Sequence, residues 1–245
     1  MKNLLLLIGI SMLIFCIHPA SQSQDGEVFV GIGGGASIPL SDYAKTDFSD
    51  ESSGYARIGG NFNIYFGYRF NEYFSLAGLL NGCMNRYDYV ELQNWFQQQF
   101  ATSLPDTRWV VESKNWGLGG LMAGPVGSIP LVTNKFFFEG RLLGGFLYAY
   151  SPAIFVTGKE NGEPDKEINI EQGSAASWVI DAGAGFRYKR TRKQYFVLFA
   201  DYMFSNPNFT NVGVNTKEFG FSRADSFSQQ ISTVNVSIGI GYIVN

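Results

Sequence analysis

Histidine is almost missing from this chain: among 245 residues the one copy is His18. It falls in a stretch that reads as a removable leader. Residues 1–3 carry one Lys, residues 4–17 are apolar, and Ala20-Ser21-Gln22-Ser23 is small and polar, the order of a secretory signal peptide with a boundary at about residue 23. The mature part, 24–245, then has no histidine for a general base of lipases, acyltransferases or deacylases, nor for zinc or copper sites made of His and Cys. Cysteine is as scarce. Cys83 remains alone once Cys16 leaves with the leader, so no intramolecular disulfide can form. Leu13-Ile14-Phe15-Cys16 has the outline of a lipoprotein box, but Phe15 stands where a small residue is required, and lipidation is not expected. Long apolar runs are lacking too: 4–17 is shorter than the roughly 20 residues of a spanning helix, and no second run follows. Charged residues make up 16% of the chain, against about 25% in soluble proteins. The net charge of -3 argues against nucleic acid as a partner.

What is abundant is aromatic residues, 16%, and glycine, 29 copies, and both are spread through segments that alternate. Over 56–70, Ile58, Phe62, Ile64, Phe66, Tyr68 and Phe70 share one face, with Arg57, Asn61, Asn63 and Arg69 on the other. That is period 2, the signature of a strand. Val234, Val236, Ile238, Ile240, Tyr242 and Val244 repeat it opposite Thr233, Asn235 and Ser237. Six more segments, 26–40, 73–87, 114–126, 135–150, 175–189 and 194–204, bring the expected strands to eight. Most reach the roughly 9 to 11 residues that cross a bilayer at a tilt.

The joins take turns. Short ones fall at Asn71-Glu72, 126–134 and 190–193, and long ones at 41–54, 88–113, 151–174 and 205–230. A transmembrane barrel has this alternation, with short periplasmic turns, long external loops and an even strand number. Closure also pairs every backbone group, as hydrocarbon demands. A soluble lipocalin-like barrel would be apolar inside and polar outside, the reverse of the pattern from Arg57 to Arg69. Three stretches carry a family resemblance: the opening strand Val28-Phe29-Val30-Gly31-Ile32-Gly33-Gly34-Gly35-Ala36-Ser37-Ile38-Pro39-Leu40, the turn Tyr68-Arg69-Phe70-Asn71-Glu72-Tyr73-Phe74, and the closing strand Val236-Ser237-Ile238-Gly239-Ile240-Gly241-Tyr242. Through them residues 24–245 resemble the small eight-stranded outer-membrane β-barrels of Bacteroidetes type, with an OmpX/OmpA-like plan. The resemblance implies an all-β, antiparallel up-and-down barrel in the outer membrane. Here Ile243-Val244-Asn245 follows Tyr242, where that family's closing strand often ends on an aromatic residue.

Alternation sends Arg57, Arg69, Glu139, Arg141, Asp181, Arg187 and Asp201 into the lumen. An eight-stranded barrel is just wide enough for side chains to fill, so these opposite charges are expected to pair and plug it. Asp181 and Asp201 are the acids a carboxylate mechanism would use, and a salt-bridged role is the commoner one. Gly31, Gly33, Gly34 and Gly35 do not make a dinucleotide loop, because Pro39 blocks the helix that must follow; glycine in small barrels permits curvature and close lumen packing. Neither cofactor, metal nor catalytic residue is assigned. On the outer face Arg86, Trp116 and Tyr148 are expected at the external interface, Arg86 snorkelling toward lipopolysaccharide phosphates and the two aromatics in a girdle.

In 88–113, Leu92, Phe96 and Phe100 would share one side of a short helix, packing within the loop, capping the barrel mouth or dipping into the outer leaflet. Ile154-Phe155-Val156-Thr157 and Ile168-Asn169-Ile170 flank a turn-rich 158–166, which predicts an outward hairpin with edges for a protein partner. The acids at its tip, Glu160, Glu163, Asp165 and Glu167, read as solvated and not as a Ca²⁺ site. The expected function is a non-enzymatic barrel that presents external loops for structural, adhesive or surface-interaction roles. The alternative is a passive channel for small or hydrophobic solutes.

Overall fold

The computed structural model describes residues 26–132, 135–160, 163–217 and 222–244, the side chains of 163–165 excepted. The leader expected over 1–23, with Cys16 and His18, lies outside the described residues, as do the side chains of Glu163 and Asp165. In chain order the elements are β1 (Glu27–Pro39), α1 (Ser41–Ala44), β2 (Ala56–Arg69), β3 (Phe74–Tyr87), α2 (Tyr89–Gln99), β4 (Thr107–Ser113), β5 (Trp116–Val132), β6 (Phe136–Tyr150) and β7 (Ile154–Glu160). There follow β8 (Glu163–Ile170), β9 (Ser174–Lys189), β10 (Gln194–Ser205), β11 (Asn208–Thr216), β12 (Ser222–Ser228) and β13 (Ile231–Ile243).

Eight of these strands, β1, β2, β3, β5, β6, β9, β10 and β13, close into an antiparallel barrel in which β1 pairs with β13, Val30 opposite Tyr242 and Ile32 opposite Ile240. They run from 12 to 17 residues, enough to cross hydrocarbon. Their period-2 pattern decides which solvent they meet. Phe62, Leu80, Leu121, Phe146, Trp178, Leu198 and Ile238 are exposed on the outer wall, while Arg187, Asp181, Asp201 and Asn235 are buried within. A wall of exposed Phe, Leu and Ile around a polar interior is stable only with lipid outside.

Two departures from plain alternation matter. β5 continues to Val132, past the expected end at 126, although Pro130 is a poor strand residue. Pro130 sits near the strand end beside a register shift between Pro130 and Val132, where its missing N–H costs little. In β2 the register against β3 shifts between Arg57 and Gly60. Gly59 occupies this bulge, and a Cβ there would lie 1.8 Å from the Met84 carbonyl oxygen.

The second sheet has the order β12-β11-β8-β7-β4. Each member adjoins in sequence the barrel strand below it, respectively β13, β10, β9, β6 and β5, and those five are neighbours in the barrel in the same order. Five of the eight wall strands therefore continue beyond the barrel rim as one sheet. Above β1, β2 and β3 the wall stops, and the 40–55 connection and α2 fill that side.

Candidate functional site

The lumen is packed in levels from the short-turn end to the rim. Nearest the turns, Arg69 Nη1 donates to Glu27 Oε2 at 2.6 Å. Next, Ser128 Oγ and Arg187 Nε both donate to Glu139 Oε1, at 2.9 and 2.5 Å. The Arg187 guanidinium lies 4.1 Å from the ring centre of Phe137 and 5.9 Å from that of Tyr195, cation-π contacts that stabilise a cation out of water. Farther in, Arg141 grips Asp201 with two bonds, Nε to Oδ1 at 2.7 Å and Nη2 to Oδ2 at 2.8 Å, over the face of Phe199. This fork-to-fork geometry is the strongest form of the pair. Gly183 makes room for it, since a Cβ there would lie 1.8 Å from Asp201 Oδ1. Asp181 is buried beside this pair, and its Oδ1 has no hydrogen-bond partner.

Above the charges runs an amide ladder. Asn81 Nδ2 donates to Asn63 Oδ1 at 2.6 Å, Asn63 Nδ2 to Asn61 Oδ1 at 3.4 Å, and the Cys83 thiol to Asn81 Oδ1 at 3.1 Å. The rim level is aromatic and closes the mouth. Tyr43 from α1 meets Trp116 edge-on with ring centres 5.4 Å apart, and Trp116 meets Phe209 at 5.9 Å. Beyond it, Phe48 stacks on Trp95 at 3.8 Å, and Phe96, Phe100 and Trp109 pack together at 5.2 to 6.1 Å. In the 40–55 connection Lys45 bonds Asp50, and this bond, with the Ser52 hydroxyl and N–H, holds the Asp50 carboxyl well below the usual carboxylate range.

Six of the seven charged residues expected inside, Arg69, Glu139, Arg141, Asp181, Arg187 and Asp201, face the lumen. Arg57 does not: it is exposed on the outer wall opposite Arg86 and bonded to Asp88. The β2 bulge adds a residue between Arg57 and Gly60, which reverses the facing that simple alternation assigns. Arg86 and Tyr148 are exposed on the outer wall. Trp116 is a second correction. It shares the inner face with Leu118 and Met122, is buried, and donates Nε1–H to the Gly54 carbonyl at 2.8 Å. It is a stopper of the mouth, not a member of a lipid girdle.

The cap contains what sequence reading passed over. α2 lies along β4, where Trp109 N and Val111 N donate to the side chains of Gln97 and Gln93, both at 3.2 Å, and Gln97 Nε2 reaches Thr107 O at 3.4 Å. Four helical residues rise about 6 Å, close to the roughly 6.6 Å between alternate strand residues. Two glutamines four apart thus satisfy the outer edge of β4 as a further strand would. The signal was present as Gln93 and Gln97 followed by the alternating Thr107, Trp109 and Val111. At the other end of the sheet β12 has no further strand beside it among the described residues.

No protein-family model matches the chain, and no curated protein matches it. Solved structures do. A major outer membrane protein from Thermus thermophilus matches with a TM-score of 0.50 at 10% identity, over 90% of this chain and 100% of that one. Ail, the attachment invasion locus protein of Yersinia pestis, matches with a TM-score of 0.44 at 16% identity, over 90% and 99%. OprG from Pseudomonas aeruginosa matches with a TM-score of 0.42 at 12% identity, over 90% and 96%. The fold, a closed antiparallel barrel of eight strands, is that of an outer-membrane β-barrel.

Proposed function

We propose that this chain is a non-enzymatic integral outer-membrane barrel whose side-chain-filled lumen carries no solute, and whose external cap is a surface-interaction module. One observation carries this reading: five wall strands continue past the rim as a sheet tied off at β4 by Gln93 and Gln97, with no further strand beside β12 among the described residues. A finished edge opposite an open one suits the capture of an extended partner segment by strand addition. The aromatic stopper and the paired charges support a closed lumen in place of the passive channel. Arg57 and Arg86, adjacent on the outer wall near the rim, suit contact with lipopolysaccharide phosphates.

The test has two arms. Refolded protein, shown by gel mobility before and after boiling to be a barrel, is placed in a planar bilayer, where no steady conductance is expected. Cells that express the chain are compared for settling and for adhesion to collagen-coated and bare surfaces, with Ala224→Pro, which removes an edge N–H of β12, as the control. Expression should raise adhesion, and the substitution should lower it without loss of the folded band. Steady conductance would overturn the closed lumen, and adhesion indifferent to both expression and Ala224→Pro would overturn the role of the cap.

A further inference from the structure

The short-turn half of the lumen holds a cavity of about 30 Å³ among Phe29, Tyr65, Arg69, Glu139, Arg187 and Tyr195. The groups around it are unusual in what they leave unused. Arg187 is 1% exposed, yet its Nη1 and Nη2 have no hydrogen-bond partner. The hydroxyls of Tyr65 and Tyr195, both buried with ring centres 6.4 Å apart, have none either, nor has Arg69 Nε. Leaving so many polar groups unsatisfied in a dry interior is costly, and native interiors avoid it.

Every one of these groups can donate, and the arginine nitrogens can only donate. A water in this position accepts at most two hydrogen bonds and must place its own two hydrogens on acceptors. A monatomic anion accepts from all sides and has no hydrogens to place. The carboxylates at this level each hold a cation, Glu27 on Arg69, Glu139 on Arg187 through Oε1, and Asp201 on Arg141, so the donors of Arg187 Nη1 and Nη2 and of the two tyrosines are the surplus. The volume suits a single halide, since about 10–15 Å³ suffices for one water-sized centre. Two glycines make space for the tyrosines: a Cβ at Gly31 would lie 2.1 Å from Tyr65 Cζ, and one at Gly241 2.1 Å from Tyr195 Cζ.

We propose that this cavity is a binding site for a small inorganic anion of the chloride class, held by Arg187 Nη1 and Nη2 and the hydroxyls of Tyr65 and Tyr195. The anion completes the donors of a buried cation and so belongs to the folded lumen. It is distinct from any ligand of the external cap, and either assignment stands without the other.

The experiment soaks crystals of the whole mature protein in sodium bromide and collects anomalous diffraction at the bromine edge. In parallel, the unfolding midpoint is measured in gluconate, chloride and bromide at equal ionic strength. An anomalous peak within hydrogen-bond reach of Arg187 and both hydroxyls is expected, with a higher midpoint in the halides. Tyr65→Phe combined with Tyr195→Phe keeps the rings and removes the hydroxyls; it should weaken halide binding about tenfold or more and erase most of the midpoint difference. If that pair does not fold, Tyr195→Phe alone serves as the second variant, with a smaller loss expected. An ordered water only, with no anomalous signal, overturns the proposal. So does a midpoint equal in all three salts, or a bromide peak undiminished in the folded variant.

Discussion

At the scale of the residue, the lumen is a set of cations and anions that cannot be changed singly. Arg141→Ala leaves Asp201 charged and unpaired in a dry interior, a loss of about 3–5 kcal/mol. Arg141→Leu together with Asp201→Leu removes both charges and should cost far less. Unfolding of the refolded barrel in denaturant, followed by the gel-mobility shift, measures both; equal midpoints for Arg141→Ala and the wild type would show that the pair contributes nothing. These buried charges were readable from the sequence because strand alternation has only two phases, and Arg69, Glu139, Arg141 and Arg187 stand in the phase opposite to the large apolar residues. Arg57 was misread because a bulge changes the phase, and the only trace of it in the chain is Gly59-Gly60. Trp116 was misread because an aromatic near the end of a membrane strand suits a girdle and a stopper equally well until the phase of its strand is fixed. The unpartnered hydroxyls of Tyr65 and Tyr195 left no sequence signal, since what makes them unusual is a cavity formed by several strands.

At the scale of the element, α2 and β4 form a helix-backed edge. Replacing both Gln93 and Gln97 by Ala removes the bonds to Trp109 N and Val111 N, at about 1 kcal/mol each. Amide hydrogen exchange at Trp109 and Val111 should then quicken markedly, while that of Leu79 and Leu143 in the barrel stays unchanged. Exchange at those two amides as slow as in the wild type would mean that the aromatic packing alone protects the edge. The eight barrel strands were legible because each is long and repeats its pattern many times. β4, β11 and β12 were not, because seven to nine residues embedded in stretches that read as loops give too few periods to register. The helix was legible in part through Leu92 and Phe96, both of which are buried.

At the scale of the whole molecule, the outer wall and the rim live in different solvents. Leu80 is exposed on the wall in the middle of β3, and Leu80→Arg should destabilise the folded barrel in lipid by about 2–4 kcal/mol. Arg86, six residues nearer the rim on the same strand, should accept Arg86→Leu with little change in folding. Vesicle refolding yields and denaturation midpoints for the two variants measure this contrast; equal effects would place the hydrocarbon boundary elsewhere on the wall. Of the overall plan, closure, strand number and the inside-out face were in the sequence. The union of three long connections into one sheet was not, because it depends on which barrel strands are neighbours once the ring is closed.

The continuation of five wall strands past the rim also has a mechanical meaning. A pull on the cap runs into the barrel strands through connections of two or three residues. Force applied in that direction loads rows of inter-strand hydrogen bonds together, in shear, instead of opening them one by one as in a zipper. The cap is thus tied to its anchor by five short covalent connections, none longer than three residues, that share the tension between them.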